Sequence, residues 1–296
     1  MRDVFKQYHP LVNFAYFTLV LAFAVLIRHP LAQGVCLVCG IAYGVQCEGR
    51  KATMFSLKFC LPLLALTALL NPAFSHAGVT ILLYFPTGNP LTLESILYGL
   101  SSGMMMAAVL VWFTSFNRVI TSDKFIYLFG RVIPALSLVL SMTLRFVPKF
   151  QAQLAAVTDA QRSIGRDVST GSVWKRTRTA ITIFSILVTW SLENAIETAD
   201  SMRSRGYGLP GRTAFSIYRF DDRDRAALLW VAFCALFLAS GMMVDAFGFR
   251  YYPSIRYASL DAFTLSFHLV YLLLCATPVF LNLLENRKWK SIRSAM

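Results

Sequence analysis

The residues most suggestive of chemistry are Cys36 and Cys39, whose C-x-x-C spacing serves zinc binding or thiol exchange elsewhere. Both lie inside the apolar run Leu31–Tyr43, with no second cysteine pair and no clustered histidine. Packing as small apolar side chains is therefore the expectation for them, as for Cys60, Cys234 and Cys275 in other apolar runs and Cys47 at the end of one. His9, His29, His76 and His268 are isolated along the chain, so no H-x-x-x-H pair is available to hold zinc. Paired carboxylates, a nucleophile elbow and the G-x-x-x-x-G-K-[ST] phosphate loop are all missing. The Gly-rich stretch Gly206-Tyr-Gly-Leu-Pro-Gly211 lacks the Lys and Ser/Thr of that loop and reads as a turn. Neither catalysis, a metal nor a directly bound cofactor is expected.

What remains is a repeated frame. Asp159-Ala-Gln-Arg162-Ser163-Ile164-Gly165 and Asp200-Ser-Met-Arg203-Ser204-Arg205-Gly206 share D-x-x-R-S-x-G, 41 residues apart. Each closes a polar, small-residue stretch, with Ala152, Ala156 and Ala160 before the first and Ala195 and Ala199 before the second. Small residues at i, i+4 make a helix face that another helix can approach closely. Gly165 and Gly206 suit the left-handed position just past a helix C-terminus, and arginines in a last turn complement the negative end of the helix dipole. One such copy is an ordinary capped helix with solvated arginines. Two in one frame suggest paired docking points, because guanidinium forks flanked by Ser and Gly fit an acidic groove.

The elements that must position these ends are set by composition. Of 296 residues, 56% are hydrophobic and 15% charged, against roughly 25% charged in a soluble domain. The apolar excess falls in long runs, so the fold class is an all-α polytopic membrane protein. This excludes disorder, a disulfide scaffold and an ordinary cytosolic enzyme. Six spans are expected, over Leu11–Ile27, Leu31–Gln46, Phe59–Leu70, Ile96–Phe116, Ala226–Val244 and Ala262–Leu284. The first of these reads as an uncleaved half of a helical hairpin rather than a signal peptide.

Net charge is +13, and in a membrane protein excess Lys and Arg mark cytoplasmic loops. The loop Asn71–Ser95 has no Lys or Arg and should be outside, whereas Cys47–Lys58 and the tail from Glu285 are basic and should be inside. Both termini are then cytoplasmic. No basic run interleaves with exposed aromatics, so nucleic acid is not an expected partner; the lipid bilayer is.

Three parts follow: 1–116 with the first spans, 117–225 as an inserted cytoplasmic or interfacial region, and 226–296 with the last spans and a basic tail. Within the insert, Phe125–Met142 is broken by Arg131 and Pro134, and the apolar piece Ala180–Trp190 is too short to span by itself. Between them, Arg145–Arg178 holds seven bases against two acids, which a pair of extra crossings would place outside. None of the six spans carries an Asp, Glu, Lys or Arg in its apolar middle, which argues against a stand-alone carrier or channel, the alternative function.

The chain resembles the transmembrane T component of energy-coupling-factor transporters, a class of ABC importers. The resemblance runs from about Tyr8 to Phe220. It is carried by Tyr8-His-Pro10, by Leu140-Ser-Met-Thr-Leu-Arg-Phe-Val-Pro148, by Ala160-Gln-Arg162, and by Ala199-Asp-Ser-Met-Arg-Ser-Arg-Gly-Tyr-Gly208 with Gly211-Arg-Thr213. It implies a non-catalytic scaffold in the bacterial cell membrane that joins two cytosolic ABC-type ATPases, which bind the ATP, to a small membrane subunit that captures a vitamin or metal ion. It also implies two coupling helices, each ending in an Ala-Arg-Gly-like triplet whose arginine docks into an ATPase groove. Ser204-Arg205-Gly206 matches that triplet, with Arg203 beside it. In Ser163-Ile164-Gly165 the arginine is replaced by isoleucine. There, either Arg162 or Arg166 supplies the charge from a shifted position, or the first ATPase is held by apolar contact. Phe146, Val147, Phe150, Leu187 and Trp190 are the candidates for contact with the substrate-binding subunit, with core packing as their other reading.

Overall fold

A computed structural model describes residues 3–84, 90–130, 133–209, 218–259 and 261–294. The chain divides into two units, Met1–Thr121 with Tyr218–Met296, and Ser122–Ile217.

The first unit contains α1 (Pro10–Leu26), α2 (Pro30–Glu48), α3 (Arg50–Phe74), α4 (Leu93–Val119), α8 (Asp222–Met243) and α9 (Ala262–Ser294). Their apolar runs form helices because main-chain polar groups inside a bilayer must be satisfied within the segment. The starts of α1 and α2 are set by Pro10 and Pro30, each at the first helical position, where a missing N–H costs nothing. An aromatic core joins the turn before α1 to α1, α2 and α4. Phe5 meets Tyr16 edge-on at 5.0 Å, Tyr43 stacks on Trp112 at 6.0 Å, and the Trp112 indole N–H donates to the Cys36 carbonyl at 3.0 Å. Cys36, Cys60, Cys234 and Cys275 are buried as free thiols within the helical packing.

Helices α3 and α4 approach to backbone contact. A side chain on Gly99 of α4 would stand 2.6 Å from the Thr67 carbonyl of α3. Gly99 and Gly103 form a G-x-x-x-G pair, the spacing that lets two membrane helices meet without intervening side chains.

The ends of the six helices sort into two groups. At one end, Asn282 of α9 accepts from the Val4 and Phe5 amides at 2.9 and 3.3 Å and donates to Asp3 at 3.0 Å, while Tyr43 of α2 donates to Asp3 at 3.0 Å. The buried Asp224 of α8 accepts from the His9 amide at 3.0 Å, and Arg223 lies 4.4 Å over the Tyr8 ring. Tyr8-His9-Pro10 is thus the joint between the N-terminal segment and the start of α8. At the other end, His29 packs on Phe249 and on His268, and Tyr98 packs on Tyr251 and Tyr252. Two short hairpins lie there, β1 (Ile81–Tyr84) with β2 (Pro90–Thr92), and β3 (Phe249–Arg250) with β4 (Arg256–Tyr257). The six helices therefore alternate in direction, and both chain ends and the points where the chain leaves for the second unit and returns share one end.

The second unit contains α5 (Ser122–Gly130), α6 (Pro134–Ser163) and α7 (Val173–Ser204). The break expected at Arg131 and Pro134 falls between α5 and α6; Arg131 itself is outside the described residues. Among the described residues, six helices are long and apolar enough to cross a membrane: α2, α3, α4, α7, α8 and α9. This differs from the sequence expectation at two places. Helix α1 has 17 residues, the low end of spanning length. The piece Ala180–Trp190 is the middle of a continuous 32-residue helix. Its hydroxyls are no obstacle to an apolar setting, because Thr182 and Thr189 within the piece and Thr179 beside it donate to carbonyls four residues back.

Candidate functional site: two matched helix ends

Helix α6 stops where Gly165 takes φ +78°, and α7 where Gly206 takes φ +74°. At the first end the Gly165 amide donates to the Arg162 carbonyl at 3.0 Å and the Arg166 amide to the Gln161 carbonyl at 2.9 Å. At the second, the Gly206 amide donates to Arg203 at 2.9 Å and the Tyr207 amide to Met202 at 3.0 Å. These are two Schellman caps with the same hydrogen bonds at the same places in the repeated frame. Ser163 and Ser204 turn their hydroxyls back to the carbonyls of Asp159 and Ser201 at 3.0 and 2.9 Å. Each end is therefore closed on itself, and the groups left facing outward are the cap residue and the arginine two positions before it.

The two ends differ in charge. Ile164 and Arg205 occupy the same cap position, with φ/ψ of −94°/15° and −83°/9°. Ile164 is 64% exposed, unusual for an isoleucine at a polar helix end. Arg162 lies 3.6 Å from Asp167. The amide and hydroxyl of Ser169 donate to the Asp167 carboxylate and hold it below the ordinary carboxylate range, with Arg162 and Arg176 adding to the pull. Arg203 and Arg205 are exposed and form no ion pair among the described residues. Gly211-Arg-Thr213, which completes the matched stretch, lies outside the described residues.

The alanine faces do not carry the helix contact expected of them. Ala152, Ala156 and Ala160 of α6 and Ala195 and Ala199 of α7 are exposed. The two helices meet instead through Val157, Ile183 and Leu187, with Phe150 and Val168 packed against them. Removing larger apolar side chains from water outweighs the close approach that alanines permit. Leu187 is 2% exposed and packs in this seam. Phe146 stacks on Trp190 at 5.6 Å, with the Lys149 ammonium 5.6 Å from the same indole, and Val147 is exposed.

Sequence reading missed an apolar stripe on α7. Phe184, Val188, Leu192 and Ile196 recur every four residues and are all exposed. The four-residue period was the available signal.

Helical spans that alternate in direction, together with a helical insert bearing two matched caps, are those of a multi-pass membrane protein. The chain belongs to the cobalt transport protein family CbiQ, which matches residues 3–215. It is similar to the energy-coupling factor transporter transmembrane protein EcfT 1 of Listeria monocytogenes, 28% identical over 217 residues, 68% of this chain and 77% of that protein. The EcfT of Bacillus selenitireducens is 27% identical over 260 residues, 81% of this chain and 94% of that protein. The EcfT of Lactobacillus helveticus reaches 36% identity over 96 residues, 32% of this chain and 35% of that protein.

Proposed function

We propose that this chain is the transmembrane scaffold of an energy-coupling-factor importer, catalysing no reaction itself. The ends of α6 and α7 each hold one of two cytosolic ATPases, and the ATPases bind and hydrolyse ATP. When ATP draws them together, the two helix ends move with them. The exposed faces of α6 and α7 pass that motion to a small membrane subunit that carries a vitamin or a metal ion. The duplication of one cap geometry at two helix ends is the observation that carries this reading. A structural role alone gives no reason for the same frame to recur 41 residues apart.

The side of the membrane follows from charge. Lys6, Arg50, Arg118, Arg223, Arg225 and Arg287 belong to the helix-end group that includes both chain ends, and Arg28, Arg250 and Arg256 to the opposite group. The positive-inside rule makes the first group cytoplasmic. The insert departs from and returns to that side.

The two ends hold their ATPases differently. Arg205 presents a cation to an acidic groove, while Ile164 presents an apolar side chain in the equivalent place, and Arg162 is engaged by Asp167. The α7 stripe from Phe184 to Ile196, with Val147 and the Phe146–Trp190 stack, is the surface for the substrate-binding subunit.

Purification through a tag on this chain tests the reading. Two ATPase chains and one small membrane protein should co-purify, and uptake should require ATP. Recovery of the chain alone, active as a carrier, overturns it.

A further inference from the structure

The α3–α4 connection exposes a surface that water does not favour. Strand β1 reads Ile81-Leu-Leu-Tyr84, and all four side chains are exposed, so both faces of the strand are apolar and uncovered. Leu83 and Tyr84 are 68% and 67% exposed. Glu94 is the only charged residue between Asn71 and Ser95, and it is turned inward. It accepts from the Thr80 amide at 3.1 Å and the Thr80 hydroxyl at 2.8 Å. Thr92 and Ser95 donate to the carbonyls of Ala77 and Ser75 at 2.9 and 2.8 Å. Glu94, Thr92 and Ser95 at the base of the hairpin are thus satisfied internally, and the exposed residues of the strand itself are apolar.

Helix α3, which leads into the hairpin, is apolar and exposed as well. Leu61, Leu66, Leu69 and Phe74 are exposed on the helix, and Val79 leads from them to the strand. Phe59–Phe74, the part of α3 after its last lysine, has 16 residues. With Leu57 and Lys58 the crossing window of α3 has 18 residues and at 1.5 Å per residue covers about 27 Å, so Phe74 ends near the edge of the roughly 30 Å of hydrocarbon.

We propose that strand β1 lies in the bilayer interface, at the headgroup–acyl boundary of the leaflet where α3 ends, as a lipid-bound anchor at the end of that span. Its depth is limited by its own backbone. An open strand edge is excluded from the hydrocarbon core but is hydrated at the boundary. Tyr84, apolar in body and polar at its tip, suits that depth. Immersion covers both faces of the strand, whereas docking on a partner covers one.

The test places a nitroxide label on Leu83→Cys and, separately, on Leu82→Cys on the opposite face. The full chain is reconstituted in phosphatidylethanolamine–phosphatidylglycerol vesicles, and the signal of labelled wild type is subtracted for the native cysteines. Collision with oxygen should exceed collision with a water-soluble nickel chelate several-fold at both positions. Arg256→Cys, on the other hairpin of the same end, should show the reverse. Nickel access at Leu83→Cys and Leu82→Cys equal to that at Arg256→Cys places the strand in water and overturns the proposal. So does loss of oxygen access at either strand position in the tag-purified complex relative to the chain alone, which assigns the surface to a protein partner.

Discussion

Arg205 and Ile164 stand in one geometry with opposite chemistry, and this determines how each responds to substitution. Losing one partner of a buried, hydrogen-bonded charge pair costs about 2–5 kcal/mol, so Arg205→Glu should weaken ATPase association on the order of 30-fold or more and abolish coupled uptake. Membrane insertion of the variant should match wild type. Wild-type uptake by Arg205→Glu rules out the docking role. Ile164→Arg separates the two possibilities at the first end: weaker ATPase association identifies an apolar socket, and tighter association an acidic one. The apolar exposure of Ile164 favours the weaker outcome. Gly206 is required for conformation rather than contact. A β-branched residue at φ +74° is strained by about 1–3 kcal/mol, so Gly206→Val should lower ATPase affinity while Arg205 remains in place. Pull-down at graded salt checks both. The cationic contact at Arg205 should weaken with salt and the apolar contact at Ile164 should not.

At the scale of elements, α7 has two faces with different duties. One packs on α6 through Ile183 and Leu187, and the other carries the stripe Phe184, Val188, Leu192 and Ile196. Leu187→Ala removes buried volume and should cost about 2–5 kcal/mol of stability, read as a lowered melting temperature in detergent. Leu192→Glu changes an exposed position and should leave that temperature within about two degrees, since exposed substitutions away from such features usually fall within about 0.5 kcal/mol. It should nevertheless reduce recovery of the small membrane subunit at least tenfold with ATPase recovery unchanged. Equal recovery of that subunit in Leu192→Glu and wild type removes the stripe from the interface. The stripe was legible in the sequence as a four-residue period. Which face packed was not, because the alanines and the larger apolar residues were both periodic, and only their competition for one seam separates them.

At the scale of the whole molecule, the proposed function requires both helix ends to be reachable from the cytosol. Single cysteines at Ser163 and Ser204 should react with a membrane-impermeant maleimide in inside-out vesicles and not in intact cells. A cysteine at Arg256 should show the opposite pattern. Labelling of Ser163 and Ser204 from outside the cell would leave cytosolic ATPases no route to either cap. The joint of Tyr8, His9, Arg223 and Asp224 has its importance at this scale as well. Asp224 is buried, accepting from the His9 amide and, through its second oxygen, from the Asp221 amide at 3.2 Å. It ties α8 to α1 close to where the insert returns.

The sequence alone determined the helical membrane class, the alternation of spans, the break at Pro134 and the position of both caps. Each of these follows from local rules: hydrogen-bond satisfaction in lipid, charge asymmetry, the fixed φ of proline and the positive φ that glycine tolerates. Tertiary structure decided what depends on which surfaces win contact. It buried Leu187, left the alanine faces open, drew Arg162 to Asp167 and left Ile164 outward in the place where Arg205 stands on the other helix. Which face of α7 is buried depends on packing between residues distant in the chain, where apolar faces compete for one seam, and the Arg162–Asp167 pair depends on the turn that Gly165 makes between them.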